Sequence, residues 1–548
     1  MAPSTPKRRL SQVSAHLAPP KDWSDISGHM SALHTIAQTA PTKNPGYVRQ
    51  KTRGKLWVRE RIEQLLDKDS FREIGALAGS VKWGDNGEVK GFTPSNNVQG
   101  AGKVEGRKVL VTADDYSVRA GHADGALMEK TIYVEKMALE MGLPIIKLVD
   151  GSSGGGSVTT TKTTGYTHLP ALFPFFSPVV KQLDAGIPNI AALLGPSVGL
   201  GAGRASICHF SVCAADVGFL FAAGPKVVEG ATFEQDLSFA DLGGAHLHCS
   251  NGTIDNLAAS ETECFQQIRR FLSYVPSNGT RQLPPTHPCT DEPTRKSPSL
   301  NTLVPRRSAR TFSMHTAISN LVDSSSFFEI GALWGTTAIV GLARISGCPI
   351  GLITSNGQVN AGALDAAGCQ KISKHLRLCD VFNLPIIQLI DCPGFAVGTA
   401  AEKAGTMRWG VEMAKTYYST SVPVFSVIVR RCYGVAGGVM CDSRPVRRRL
   451  AWPSAEWGSL PLDGGIEVAH KKELDAAGDR DEALRRLRKV YDALGNPVRS
   501  ANTFNVEEMC VPQDTRGYLA EWVTEVYESV LMERLEDRRA GKMRVSFR

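Results

Sequence analysis

Two kinds of glycine-rich turn each occur twice in this chain, and each follows a short hydrophobic run. After "LVD" comes "GSSGGGS" (Gly151 to Ser157), and after "LID" comes "CPGFAVGT" (Cys392 to Thr399). One strand later, "GPSVGLGAG" (Gly195 to Gly203) stands where the second copy has "CYGVAGGVM" (Cys432 to Met440). Glycine lets the backbone turn sharply, and a helix that starts at such a turn presents N–H groups with no intrahelical acceptor. N–H groups held in place stabilise an oxyanion as it forms, because they need no reorientation. The twin turns therefore predict two oxyanion holes.

Other chemistries compete for the same residues. "GGGSVTTTKTT" resembles a phosphate loop, but Thr161 stands where GxxxxGK[ST] requires glycine before the lysine, so that reading fails. "GPSVG" matches GxSxG and follows the apolar run "NIAALL", as a nucleophile elbow should, which makes Ser197 the nucleophile of a rival serine hydrolase. Against it, the second copy has Cys432 opposite Ser197 and Arg430 opposite Gly195, keeping the glycine of the hole and losing the elbow. "AHLHC" (Ala245 to Cys249) gathers two histidines and a cysteine, but alternation on a strand would point His246 and His248 away from Cys249, so no metal is expected. The basic cluster "RPVRRRLAW" (Arg444 to Trp452) reads first as a solvated turn between strands and second as an anion contact. Asp150 and Asp391 read as acids that close strand ends, and Glu402 and Arg430 as positioners of the second pair of turns.

The elements that carry these turns are themselves repeated. "SFREIGALAG" (Ser70 to Gly79) returns as "SFFEIGALWG" (Ser326 to Gly335), with eight of ten residues identical. "GLPIIKLVDGSSGG" returns as "NLPIIQLIDCPGF", and "YSVRAGHADGA" places Gly121 where "GQVNAGALDAA" places Gly362. The offset drifts only by loop-sized steps, which indicates an internal duplication into two domains, each long enough for its own core. Short β-branched runs ("KVLVTAD", "PIIKLVD", "VPVFSVIVR") alternate with helical stretches ("DGALMEKTIYVEKMALEMG", "KAGTMRWGVEMAKTYY"), so each copy is α/β, with chemistry at turns that follow strands. Residues 1–45 are predicted as a disordered arm and 46–280 as the first domain. Residues 281–310 are a linker by their proline-rich, aliphatic-poor composition, and 311–548 form the second domain, ending in amphipathic helices. "RGKLWVRERIEQLLDKDSF" is predicted to lead into the first copy as a helix.

With 548 residues, 42% hydrophobic and 21% charged, the chain has ordinary globular composition, and a net charge of +8 without basic–aromatic runs argues against nucleic-acid binding. Acidic substrates fit better. Twelve cysteines with no CxxC pair predict thiols in a reducing compartment. No membrane span is visible: the charge-poor stretch Ile187 to Ala215 is broken by prolines and glycines and reads as strand, turn and helix. The location expected is cytoplasmic. A mitochondrial matrix location is the alternative, from an acid-free N-terminus with Lys7, Arg8 and Arg9 whose prolines spoil an amphipathic helix.

A duplicated α/β chain with these turns resembles the carboxyltransferase β subunits of biotin-dependent acyl-CoA carboxylases, the propionyl-CoA and methylcrotonyl-CoA carboxylase type. The likeness is carried by "GPSVGLGAG", "AAGPKVVEG", "DLGGAHLH", "AGALDAAG", "CDVFNLPIIQLIDCPGFAVGT", "YGVAGGVM" and "AWPSAEW", and spans about residues 45 to 545. The resemblance implies two duplicated crotonase-like domains of the ClpP/crotonase superfamily. It also implies transfer of a carboxyl group from carboxybiotin to the α-carbon of an acyl-CoA, with biotin itself taking the α-proton. By motif, the first hole falls on the N–H groups of Gly199 and Leu200 and faces the CoA thioester, with Gly154, Gly155, Gly156, Gly201 and Gly224 around the CoA and acyl group. The second falls on Val435 and Ala436 and faces biotin, beside Gly394, Phe395, Thr399 and Gly434. The sequence has no AMKM-like biotinylation site and no ATP-binding segment, so a biotin carboxylase and a biotin carrier protein or subunit must be partners. Active sites shared between subunits imply a homo-oligomer of dimers.

The chain departs from the family at two places. Where members usually have "SGGARIQEG", it has "GSSGGGSVTTTKTTGYTHLP". Where they often have "GGAYDVM", it has "GVAGGVM", so Gly437 and Gly438 replace a bulky residue and an acid of the acyl pocket and predict a larger or differently shaped one. Three alternatives stand beside the carboxyltransferase reading: a biotin-linked acyl-CoA decarboxylase running the transfer in reverse, the Ser197 hydrolase, and a non-catalytic scaffold.

Overall fold

The two copies fold as two mixed sheets with the same plan. In a computed structural model the structure describes residues 21–547 except 86, 123–126, 152–160, 163, 168, 170–171, 308 and 442–447. The first sheet runs, in spatial order, through Arg72–Glu73, Asn97–Val104, Arg107–Asp114, Ile145–Val149, Asn189–Leu193, Phe210–Ala214 and Asn256–Ala258. Its first two pairings are antiparallel and the rest parallel. The second repeats this through Phe328–Glu329, Ala338–Ile345, Cys348–Ser355, Ile386–Cys392, Val424–Tyr433, Arg448–Ala451 and Glu508–Met509, again antiparallel twice and then parallel. The parallel strands are hydrophobic without alternation because both faces are covered: every residue of Ile145–Val149, Asn189–Leu193 and Ile386–Cys392 is buried.

The repeated "EIGAL" phrase has the same structural role in each half. Glu73 pairs with Arg59 at 2.9 Å and Glu329 with His315 at 2.8 Å, each tying the edge strand to the helix before it. Two residues on, Gly75 (φ +76°) and Gly331 (φ +68°) adopt left-handed backbone, with the alkyl chains of Lys130 and Lys371 against them. Both lysines are pushed down to about 8 by burial, opposed by the neighbouring glutamate.

One core crosses between the halves. Phe210 stacks on Phe271 at 4.9 Å and meets Phe328 edge-on at 5.6 Å, and Phe271 meets Phe382 at 6.1 Å. A second core, with Trp452, Phe425 and Trp522, lies beneath the C-terminal helices Thr515–Glu528 and Val530–Arg539. Aromatic burial on this scale dominates packing energetics.

Several local expectations change. The predicted disordered arm contains the helix Ser24–Gln38, which buries Leu33 and Ala37 and whose Ala37 carbonyl accepts from Arg59 Nε. Residues 1–20 lie outside the described residues. The predicted helix over residues 53–71 is confined to Val58–Leu65, because Gly54 turns left-handed at φ +73° and the Glu60 carboxylate accepts the Trp57 N–H at 2.7 Å to start a new helix. "AHLHC" is not a strand but part of the helix Ala245–Ser250, with Cys249 buried and His248 Nε2 2.7 Å from the Leu220 carbonyl. Its five residues are too short for periodicity to separate the two states. The proline-rich segment 281–310 carries one 3₁₀ turn, Pro298–Thr302, and is tied down by Leu300 in the second core and by Arg516 Nε donating to the Glu292 carbonyl. Among the described residues no helix is long and apolar enough to cross a membrane, and all twelve cysteines are free.

Both strand-end acids are fully buried in ion pairs. Asp391 accepts two guanidinium forks, from Arg430 (Nη2 to Oδ2 2.8 Å, Nε to Oδ1 3.0 Å) and from Arg431 (Nε to Oδ1 2.7 Å, Nη2 to Oδ2 3.0 Å). Asp150 takes Lys55 at 2.6 Å and Arg61 at 2.8 Å, and Arg61 also binds Glu261 at 2.6 Å. Burial would raise the Asp391 carboxyl, but hydrogen bonds from Arg431 and Arg430 hold it below its ordinary value. Its stabilisation is therefore present above the ordinary carboxylate pKa and lost as pH falls through the lower folded value. Asp391→Asn, which leaves the buried Arg430 and half-buried Arg431 guanidiniums without their counter-ion, is expected to cost about 3–5 kcal/mol in urea denaturation at neutral pH. The gap to the unaltered protein should close as pH falls below the ordinary carboxylate value of about 3.9.

Candidate active site

The first turn is made by a broken strand. Asn189–Leu193 ends, Leu194 and Gly195 step aside, and the chain resumes as Pro196–Val198, pairing in parallel with Phe219–Phe221. A side chain at Gly195 would push the buried ion pair aside: a Cβ there would lie 1.7 Å from Asp150 Oδ1 and 2.6 Å from Lys55 Nζ. Gly199 follows at φ +59°, ψ −116°, a conformation open to glycine, and begins the helix Leu200–Ser206. Its own N–H donates to the Phe221 carbonyl at 3.1 Å, so Gly199 shapes the turn while the N–H groups of Leu200 and Gly201 have no acceptor among the described residues. Gly199 is exposed, Leu200 half-buried and Gly201 buried, which puts these donors at the mouth of the turn.

In the second half the strand does not break. Val424–Tyr433 runs straight through the equivalent position, and its last three residues pair with Glu456–Gly458 as Pro196–Val198 pairs with Phe219–Phe221. Arg430, opposite Gly195 in the duplication, supplies a cation to Asp391 from within this strand, whereas Gly195 leaves room for Lys55 to reach Asp150 from outside. Gly434 at φ +62° then begins the helix Gly434–Met440. Val435 is 64% exposed, Ala436 is buried, and neither N–H has an acceptor among the described residues. A Cβ on Gly438 would meet nothing within 4 Å, leaving open space beside the turn.

The structure joins the two turns of the second half. Gly394 (φ +132°) lies against the Tyr433 carbonyl and accepts the Leu364 N–H at 3.1 Å, while Ala396 N–H donates to the Leu364 carbonyl at 2.8 Å. Phe395 packs over Gly410, and Thr399 opens the exposed helix Thr399–Lys403. In the first half Gly224 caps the helix Pro225–Ala231. Gly154, Gly155 and Gly156 lie outside the described residues, as do Arg444 and Arg447 of the basic cluster. Arg448 and Arg449 of that cluster pair with Glu525 at 2.9 Å and Glu507 at 2.6 Å.

A pair of strained turns escaped the sequence reading. Arg119, Ala120 and Gly121 are consecutively left-handed (φ 54°, 52°, 70°), and so are Asn360, Ala361 and Gly362 (46°, 51°, 86°). A Cβ on Gly121 would strike the Asp150 carbonyl at 2.3 Å, and one on Gly362 the Asp391 carbonyl at 2.8 Å. Each turn thus braces the end of a turn-bearing strand, a place where backbone strain is stored at functional sites. The equal placement of Gly121 and Gly362 in the repeat was the available signal.

The elbow reading fails on geometry. Ser197 sits inside the short strand Pro196–Val198, its Oγ is buried, and it has no hydrogen-bond partner among the described residues. A nucleophile needs a base within hydrogen-bond reach and access to substrate. What the site does offer is two equivalent turns with first-turn N–H groups unoccupied. Their nearest strand-end acids are already engaged in ion pairs.

Comparisons with known proteins show which family the chain belongs to. The chain is 31% identical over 518 residues to the biotin-dependent acetyl-/propionyl-coenzyme A carboxylase beta5 subunit of Mycobacterium leprae, covering 90% of this chain and 91% of the relative. It is also 31% identical over 474 residues to the methylmalonyl-CoA decarboxylase subunit alpha of Veillonella parvula, covering 85% and 89%. Among solved structures, a transcarboxylase 12S hexamer assembly with methylmalonyl-coenzyme A and methylmalonic acid bound matches with a TM-score of 0.81 and 26% identity, over 93% of this chain and 97% of that one. The carboxyl transferase domain matches residues 49–536, and the chain belongs to that family.

Proposed function

We propose that this chain is the carboxyltransferase subunit of a biotin-dependent acyl-CoA carboxylase. The observation that carries this reading is the pair of equivalent turns, each a left-handed glycine followed by unoccupied N–H groups, in a chain that matches the family along nearly its whole length. In the first half the N–H groups of Leu200 and Gly201, set by Gly199, hold the thioester oxygen of an acyl-CoA as the α-carbon loses its proton and charge moves onto that oxygen. Gly154, Gly155, Gly156 and Gly224 contribute the surrounding CoA contacts.

The second turn suits a neutral, oxygen-bearing ring. Its donors are backbone N–H groups, Val435 is exposed, and Gly394, Gly434 and Gly438 leave the approach bare. Val435 and Ala436 would hold the ureido oxygen of biotin, with Phe395 and Thr399 beside it. Carboxybiotin on a partner protein supplies the carboxyl group. Asp150 and Asp391 keep the turns in place and are not bases, because each is engaged by two cations. The first-half site of one subunit then faces the second-half site of another in a homo-oligomer, which the exposed Phe233, Val397, Met407 and Val411 and the hexameric transcarboxylase relative support. A biotin carboxylase and a biotin carrier complete the system, in the cytoplasm.

The Veillonella parvula relative favours a second reading, decarboxylation by the same site run in reverse. Incubating the chain with a carboxylated biotin carrier and a panel of acyl-CoAs, and separately with the uncarboxylated carrier and a panel of malonyl-type CoAs, followed by mass spectrometry, separates the two. Gain of one carboxyl group on one acyl-CoA supports the carboxylase. Carboxyl transfer only from a malonyl-type CoA to the carrier supports the decarboxylase, and no transfer either way contradicts both. Ser197→Ala should keep transfer within about threefold, since backbone donors remain, whereas Gly434→Ala should lower kcat by about 10²–10³-fold by displacing a donor. Hydrolysis of an acyl-CoA by the unaltered chain that Ser197→Ala abolishes, with an unchanged melting temperature, would revive the hydrolase.

A further inference from the structure

Each half has one polar side chain at the same place in a buried apolar run. The strand Ile145–Val149 reads IIKLV, and the matching residues of Ile386–Cys392 read IIQLI, so Lys147 and Gln388 are equivalent in the repeat. Both are fully buried. Both strands are paired on either side, with Lys147 between Thr112 and Ala191 and Gln388 between Ile353 and Ser426. An ammonium or an amide buried in such a place is costly unless it is hydrogen-bonded, so its partners show what holds it there.

Both side chains reach the far end of a turn helix. Lys147 Nζ donates at 3.3 Å to the carbonyl of Arg204, in the last turn of Leu200–Ser206, and pairs with Glu135 Oε1 at 3.6 Å. The Cys208 thiol reaches the same carbonyl at 3.4 Å but is a weak donor. Gln388 Nε2 donates at 2.8 Å to the carbonyl of Met440, the last residue of Gly434–Met440, and Gln388 Oε1 accepts from the Tyr417 hydroxyl. The charge differs between the halves, and so does the supporting helix, Met128–Met141 for Glu135 and Thr406–Ser419 for Tyr417. What they share is a side-chain donor, carried by a strand fixed on both sides, on a carbonyl at the helix end where intrahelical donors run out.

A seven-residue helix does not hold its place by its own hydrogen bonds. The N–H groups of Leu200 and Gly201, and those of Val435 and Ala436, are therefore placed by what grips the helix behind them. We propose that Lys147 and Gln388 are positioning residues, one for each oxyanion hole, that fix the first-turn donors by holding the last turn of the same helix. In the first half the grip is shared, because Arg204 Nη1 also donates to Asp114 Oδ1 at 3.3 Å. The catalytic effect rests on the assignment of the donors above; the anchoring of the helices does not.

Paired variants of the full chain test this. Glu135→Gln is carried in both, so that loss of the ammonium leaves no buried carboxylate unpaired. Lys147→Met/Glu135→Gln lacks the donor, and Lys147→Gln/Glu135→Gln restores one of the kind that Gln388 supplies. With a carboxylated biotin carrier and the acyl-CoA that the panel above selects, kcat should fall about tenfold in the methionine variant, with KM for the acyl-CoA within about twofold, and return to within about threefold in the glutamine variant. Hydrogen exchange read by mass spectrometry should quicken about tenfold at Gly203 and Ile207, whose N–H groups donate to the Gly199 and Gly203 carbonyls at 3.0 Å, and stay unchanged in Ile145–Val149. Gln388→Met, which involves no buried charge, makes the same test on Gly434–Met440 and carries it alone if the first pair does not fold. Equal kcat in the methionine and glutamine variants, exchange at the helix unmoved by loss of the donor, or exchange that quickens throughout the sheet would overturn the positioning role. Faster exchange confined to the helix, with no transfer by the unaltered chain on any acyl-CoA, counts against the proposed function and leaves the anchoring standing.

Discussion

A buried carboxylate at the end of a parallel strand, neutralised by two cations, is the constraint on which both halves depend. Asp150 and Asp391 lie where the sheet stops and the glycine turns begin, and neither is exposed. A carboxylate there is tolerable only if paired, and the pairing fixes the backbone around it. The Asp391 forks also reach the linker, because Arg430 Nη1 donates to the Arg310 carbonyl at 2.8 Å and lies over Phe312.

The halves satisfy this constraint differently, and the difference shapes the sites. In the first, the cations come from Lys55 and Arg61, ahead of the sheet, and Gly195 yields the space they need, so the strand breaks before the turn. In the second, Arg430 and Arg431 are built into the strand, which runs unbroken to Gly434. The turn that follows is nonetheless the same: a glycine near φ +60° and a seven-residue helix. Conservation of geometry across a change of sequence is what a backbone-built site permits, since the donors are N–H groups that any non-proline residue carries.

This explains what the sequence could and could not reveal. The duplication was legible because Glu73, Gly75 and their partners Glu329 and Gly331 hold ion pairs and left-handed turns that tolerate few residue types. The turns were legible for the same reason. The cations of Asp150 were not, because Lys55 and Arg61 lie far from it along the chain and belong to no motif. Nor was the engagement of the Gly199 N–H by the Phe221 carbonyl, which depends on a two-stranded pairing that no local pattern announces. The helix Ser24–Gln38 was obscured by the prolines and polar residues before it, although Leu33 and Ala37 are spaced to share one face.

The proposed function requires the two turns to hold two different oxygens. A structure of the oligomer with an acyl-CoA and biotin both bound measures this most directly. If the proposed function holds, the thioester oxygen lies about 3 Å from the Leu200 N–H and the ureido oxygen about 3 Å from the Val435 or Ala436 N–H. A complex in which both ligands are bound and either oxygen lies away from its turn, held by a side chain instead, would contradict it.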